Sequence, residues 1–118
     1  MDGLMHPPQN VLRALTTEPT GRKTTPIFTG VVDYFPLALA EVARVSKAGN
    51  DQHNPGKPLH WNRGVSSDHA DCVLRHLIER GELDADGQRH SAKAAWRALA
   101  LLQTELEVAA GFFAAEGR

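Results

Sequence analysis

A chain of 118 residues with 42 % hydrophobic residues fits one domain with a modest core, and a formal net charge of −1 argues against a dedicated nucleic-acid binder. The single cysteine, Cys72, excludes an intrachain disulfide and fits a reducing cytoplasm. No run approaches the roughly 18 apolar residues of a membrane span and no basic-then-apolar leader opens the chain, so the expected setting is cytoplasmic, without a membrane or nucleic-acid partner.

Residues 1–25 are polar and carry Pro7, Pro8 and Pro19. They read as an N-terminal arm, with a short helix over Gln9–Leu15 and a basic pair, Arg22 and Lys23. The domain proper is expected over 26–118. Ile27 to Phe35 is apolar, but no second convincing strand exists to pair with it, so an extended segment or turn is expected there. Pro36 suits a first helical turn, and Leu37, Leu39, Ala40, Ala43 and Val45 give a helical stripe to about Ala48. Gly49-Asn50 is expected to end that helix.

Asn50 to Gly64 reads as a loop, since Asn54-Pro55-Gly56 and Lys57-Pro58 forbid a helix. Trp61 in its middle argues that the loop is ordered, because an exposed indole would leave a large apolar surface in water. Ser66 or Ser67 can cap the next helix, which runs to about Arg80 and stops at Gly81. Leu83 to Arg89 is a turn rich in Asp and Gly. The last helix is expected from Gln88–Ser91 to about Ala110, with Ala92, Ala95, Trp96, Leu99, Leu102 and Leu106 on its buried side. The fold class is therefore all-α, a small bundle of about four helices with one long ordered loop. The low aromatic content and the Ala- and Leu-rich apolar set suit burial against a second subunit, so completion by homo-oligomerisation is expected.

Five of the six histidines, His53, His60, His69, His76 and His90, fall between Asn50 and Lys93. Within that stretch, spacing separates three sets. Asp68, Asp71 and Arg75 lie at i, i+3 and i+7 on one helical face, where two carboxylates can hold a hard divalent ion or form a plain ion pair with the arginine. His69, Cys72 and His76 form a second such face, but a structural zinc site usually needs four protein ligands, and a hydrogen-bonded His76 is favoured. His90, Lys93 and Arg97 form a third, cationic face that opens at a helix N-terminus and suits phosphate. Asp84 and Asp86 make an acidic turn just before it, able to complete a metal site or to cap the helix. No P-loop, G-x-G-x-x-G or G-x-S-x-G pattern occurs, and Cys72 has no evident activating base.

The ordered motifs P-L-A-L-A-E-V-A-R-V (36–45), H-W-N-R-G (60–64), L-R-H-L-x-x-x-G-E-L-D (74–84), G-Q-R-H (87–90) and A-A-W-R-A-L-A-L (94–101) carry a resemblance. Over about Lys23 to Glu107 the chain resembles the phage dATP/dGTP diphosphohydrolase-like family, which looks related to the all-α nucleoside triphosphate pyrophosphohydrolases of the MazG type. The resemblance implies an all-helical, oligomeric protein and magnesium-dependent cleavage between the α and β phosphates of a (d)NTP. Its motifs match Trp61, Arg63, Arg75 and His90, and with Lys93 and Arg97 of the cationic face these make the candidate nucleotide and phosphate binders. Asp71 and Glu82 become the candidate catalytic residues, and Asp68, Asp71 and Asp84 the candidate Mg2+ ligands. Two departures stand out: Lys93 replaces an expected second histidine, and Arg97 a common asparagine. A non-catalytic protein that sequesters a nucleotide or a nucleotide-derived signal, as a phage counter-defence, is the alternative.

Overall fold

The computed structural model describes Val11, residues 17–64 and residues 66–111. They form four α-helices, α1 (Pro19–Thr24), α2 (Pro36–His53), α3 (His69–Ile78) and α4 (His90–Ala109), with a short π-helix, Phe28–Val32, ahead of α2. The protein is a small all-α bundle, as its apolar periodicity implies. α4 is the central strut, packed most extensively against α3 and also against α2. Of the helix expected over Gln9–Leu15, only Val11 lies among the described residues. None of the described helices is by itself long and apolar enough to cross a membrane.

The segment from Ile27 to Phe35 is helical as far as Val32 and turns at Asp33-Tyr34, so the expected turn into α2 is there but no extended stretch precedes it. Gly30 N–H donates to Pro26 O at 2.8 Å, Asp33 N–H to Phe28 O at 2.8 Å and Phe35 N–H to Val31 O at 3.0 Å. With no partner strand among the described residues, the backbone satisfies its polar groups locally, in a helical turn and the tight turn after it.

α2 also runs further than the Gly49-Asn50 pair suggests, ending at His53. Asn50 does not cap the helix. Its side chain is buried and holds the following loop: Nδ2 donates to Lys57 O at 3.2 Å, while Oδ1 accepts from His60 N–H at 3.0 Å and Asn54 Nδ2 at 3.2 Å. The helix ends where Pro55 disfavours an α conformation at Asn54 and Gly56 takes φ 76°. Asn50→Ala is expected to leave a loop carbonyl and a loop N–H unpaired, costing about 1–3 kcal/mol. Thermal unfolding and protease cleavage between residues 55 and 60 would register the loss, and an unchanged melting temperature would contradict it.

α3 begins at His69 with Asp68 at the N-cap position, but no side chain caps it, so neither Ser66 nor Ser67 plays the expected part. Between α3 and α4 the chain makes a tight hairpin. Leu83 and Arg89 form an antiparallel bridge, Asp84 N–H donates to Gln88 O at 2.7 Å, and Gly87 turns the corner with φ 83°. This hairpin sets the two helices side by side and aims Asp84 and Asp86 back at α4.

The buried face of α4 differs from expectation. Ala92 is buried, but Leu99, Leu102 and Leu106 remain 53 %, 51 % and 58 % exposed. The buried positions are His90, Ala92, Ala94, Ala100, Thr104 and Glu107, while the expected Ala95 is exposed. The small side chains let α4 approach its neighbours closely. The leucines stand along a groove shared with Leu39 and Val42 of α2.

Candidate functional site

The second half of α2, the loop after it, α3 and α4 enclose a cleft of about 310 Å3. Trp61 forms part of its wall. The indole is half-buried, meets Trp96 edge-on at 5.6 Å between ring centres, and carries the Arg63 guanidinium 4.2 Å above its ring. A side chain clamped on two sides presents a preorganised flat surface, the kind that stacks on a base.

Lys93 and Arg97, one turn apart on α4, both line the cleft. Lys93 Nζ donates to Asp84 Oδ2 at 2.7 Å and to Asp86 Oδ2 at 2.8 Å. Burial alone would lower the Lys93 pKa, but these two hydrogen bonds outweigh it and the pKa is raised. Conversely, the Lys93 hydrogen bond, helped by the Ala85 N–H, brings Asp84 down to about 2. Arg97 Nη1 lies 3.2 Å from His69 Nδ1 and 3.8 Å from Asp68 Oδ1. Among the described residues, Asp86 is the one carboxylate lining the cleft, and Lys93 already neutralises it.

The histidines divide by role. Arg97 is always a donor, so His69 Nδ1 must accept, which requires the neutral imidazole. Burial lowers the His69 pKa first, and the Arg97 charge lowers it further. His76 Nδ1 and His90 Nδ1 are 2.9 Å apart and share one proton. Burial, then the neighbouring His90, lowers the His76 pKa as well. The sign of the pH effect follows. Both groups regain the ordinary 6.5 on unfolding, so the unfolded chain binds protons that the fold refuses. Stability is full above pH 6.5 and is lost as the pH falls below it toward the lowered values. Melting temperatures are therefore expected to drop from pH 7.5 to 5, and His69→Gln to flatten part of the slope; a level profile would contradict this.

The structure brings some of the predicted site residues together and separates others. Trp61, Lys93 and Arg97 meet at the cleft. Arg63 Nε instead donates to the Glu107 carboxylate, at 2.9 and 3.1 Å, and reaches the cleft only through its contact with Trp61. Arg75 Nη2 donates to Cys72 Sγ at 3.2 Å, and the Asp68 carboxylate lies 3.6 Å from the same sulfur. His90 is buried behind His76. Asp71 and Glu82 are exposed and outside the cleft lining. Asp68, Asp71 and Asp84 are not gathered at one point. Among the described residues, the group of three or more ligand-type side chains that converges is His76, Asp84 and His90, with one donor atom from each within 4.8 Å of the others.

Sequence reasoning did not find three contributors. His69 was grouped with Cys72 and His76, yet it orients Arg97. Trp96 was read as core, yet it braces Trp61. Glu107, 2 % exposed, holds Arg63 across 44 positions of sequence. No local spacing relates residues so far apart; the one available signal was a glutamate on the last helix that fits no i,i+4 cation.

These features define a small all-α domain with a cationic, indole-walled cleft of the size and charge that suit a nucleotide. A family model described as dATP/dGTP diphosphohydrolase, N-terminal, matches residues 18–111, and the chain belongs to that family. No curated protein and no solved structure matches it. The family description points to a nucleotide hydrolase with a nucleotide as its ligand.

Proposed function

We propose that the chain binds a purine deoxynucleoside triphosphate in this cleft and cleaves it between the α and β phosphates, releasing the monophosphate and pyrophosphate into the cytoplasmic pool. The observation that carries the reading is the meeting of Lys93 and Arg97 with a clamped Trp61 in one cleft. Trp61 takes the base; Arg97 and Lys93 take the phosphates, trading Asp68, Asp84 and Asp86 for phosphate oxygens. His76 lines the same cleft. In the tautomer where its Nδ1 donates to His90, its Nε2 is left to accept a proton from the attacking water.

Magnesium, which the family resemblance implies, demands oxygen ligands in near-octahedral array. Asp68, Asp71 and Asp84 do not converge, and Asp84 is already paired with Lys93. That set does not fit the ion, and no step is routed through it. Asp71 and Glu82, outside the cleft, receive no step within one chain.

The near-absence of carboxylates from the cleft favours a second reading, in which the nucleotide is held and not cut. One experiment separates the two. The protein is incubated with a full panel of nucleoside and deoxynucleoside triphosphates, with and without divalent cations, and the mixtures are resolved by chromatography. Monophosphate and pyrophosphate support the hydrolase. Tight binding with the ligand recovered intact supports sequestration, and no binding at all rejects both.

A second copy of the chain is the proposed cover for the α2–α4 groove. The buried apolar side chains among the described residues are Cys72, Ala92, Ala94 and Ala100, a small core, while Leu99, Leu102 and Leu106 face outward together. Light scattering is expected to give a multiple of the chain mass, and Leu102→Asp to reduce it to the monomer. A monomeric native protein would remove this part of the proposal.

A further inference from the structure

We infer that His76, Asp84 and His90 form a binding site for a divalent transition-metal ion that accepts imidazole readily, such as Co2+, Ni2+ or Zn2+, and that Lys93 is the built-in cation this ion displaces. The site shares His76 and Lys93 with the proposed nucleotide cleft, but its test needs no nucleotide.

The donor atoms converge. Two imidazoles and a carboxylate, contributed by α3, the hairpin and the first residue of α4, place one donor atom each within 4.8 Å of the others. Residues from three successive elements meet because the hairpin folds α4 back along α3. The two Nδ1 atoms are 2.9 Å apart. Two bonds of ~2.1 Å to one ion span about 3.0 Å at an octahedral right angle and about 3.4 Å at the tetrahedral angle of zinc, so the imidazoles sit near the octahedral separation and need to part by about 0.5 Å for a tetrahedral ion. With Nδ1 of His90 as the ligand atom, its Nε2 faces Glu79 Oε2 at 3.7 Å. Metal-bound histidines commonly direct their second N–H at a carboxylate, which fixes the tautomer and ring orientation, and a small rotation of Glu79 completes that arrangement.

Donor chemistry decides which ion. Two nitrogens and one oxygen suit the borderline divalent metals, whereas magnesium and calcium take oxygen. Burial decides rigidity: His90 is 6 % exposed, so its ring is held before any ion arrives. Electrostatics decides competition. Asp84 is ionised, and Lys93 occupies it at 2.7 Å while also holding Asp86 at 2.8 Å. An incoming dication must expel the ammonium from Asp84. Lys93 already lines the nucleotide cleft, so the expelled side chain stays beside it.

The test uses the whole chain after chelator treatment, with Co2+ as the probe because its visible absorption reports bound ligands directly. Native protein is expected to develop cobalt absorption saturating at one ion per chain, with a rise in melting temperature, and a large excess of Mg2+ should not displace it. Asp84→Asn should weaken Co2+ binding about 10- to 100-fold. Lys93→Met should tighten it about tenfold, by removing the competing cation, and a gain of affinity is a result that misfolding does not produce. Absence of a cobalt spectrum in native protein, or a spectrum unmoved by both Asp84→Asn and Lys93→Met, would overturn the inference and leave His76 and His90 as a plain hydrogen-bonded pair.

Discussion

Arg97→Ala is expected to raise the Kd for a purine deoxynucleoside triphosphate by roughly thirtyfold, corresponding to about 2 kcal/mol for lost charge-assisted hydrogen bonds. Arg97 is the strongest single target because its guanidinium is preorganised. His69 Nδ1 holds one edge at 3.2 Å, the Trp96 ring centre lies 5.9 Å from its central carbon, and Asp68, at 3.8 Å, is a weak partner that a phosphate can replace. Arg97→Lys keeps the charge but loses the planar fork, so an intermediate loss is expected. The salt dependence of binding supplies a second readout. Removing a phosphate contact should flatten it, whereas a merely misplaced helix should weaken binding without changing the slope. Calorimetry across a salt series decides between them, and native-like affinity in Arg97→Ala would count against the cleft as the phosphate site.

The largest stability effect is expected at Arg63. Its guanidinium is 24 % exposed and meets Glu107, 2 % exposed, through two hydrogen-bond distances, with Gln103 Nε2 donating to the same carboxylate at 2.7 Å. Arg63→Ala would leave a buried charge with one neutral partner, a loss of about 3 kcal/mol, or roughly 10 °C or more in Tm for a domain of this size. Replacing both partners, as Arg63→Met with Glu107→Leu, should recover much of that, because the cost lies in the orphaned carboxylate and not in the missing pair. Arg63 also rests on Trp61, so nucleotide affinity should fall in Arg63→Ala through a loosened indole. The salt slope should then stay the same. A flattened slope would instead mean that Arg63 reaches the phosphates itself.

These two arginines show how differently sites become legible. Both were expected to bind phosphate. Arg97 could be placed because it shares a helical face with Lys93, and i, i+4 geometry survives folding unchanged. Arg63 sits in a loop, where sequence spacing carries no direction, and a partner 44 residues away took its side chain. The acidic set Asp68, Asp71 and Asp84 illustrates a further limit. Spacing put Asp68 and Asp71 on a common face, but Asp68 lies ahead of α3 at the N-cap position and turns toward Cys72 and Arg97. Asp84 lies across the hairpin, facing the histidines, so His76 and His90 became its neighbours.

From the sequence alone came the all-α class, the approximate courses of α3 and α4, the turn between them and the cationic face of α4. All of these depend on local periodicity, on proline and glycine conformations and on side-chain types a turn apart. Tertiary structure alone decided that Asn50 continues α2 and pins the loop, that Ile27–Val32 is helical, and that alanines and not leucines pack beneath α4. It also decided that His76, His90 and Asp84 converge. Each of those outcomes depends on which partner a group finds at a distance: a loop carbonyl for Asn50, a closely packed helix for the alanines, and a facing imidazole for His76.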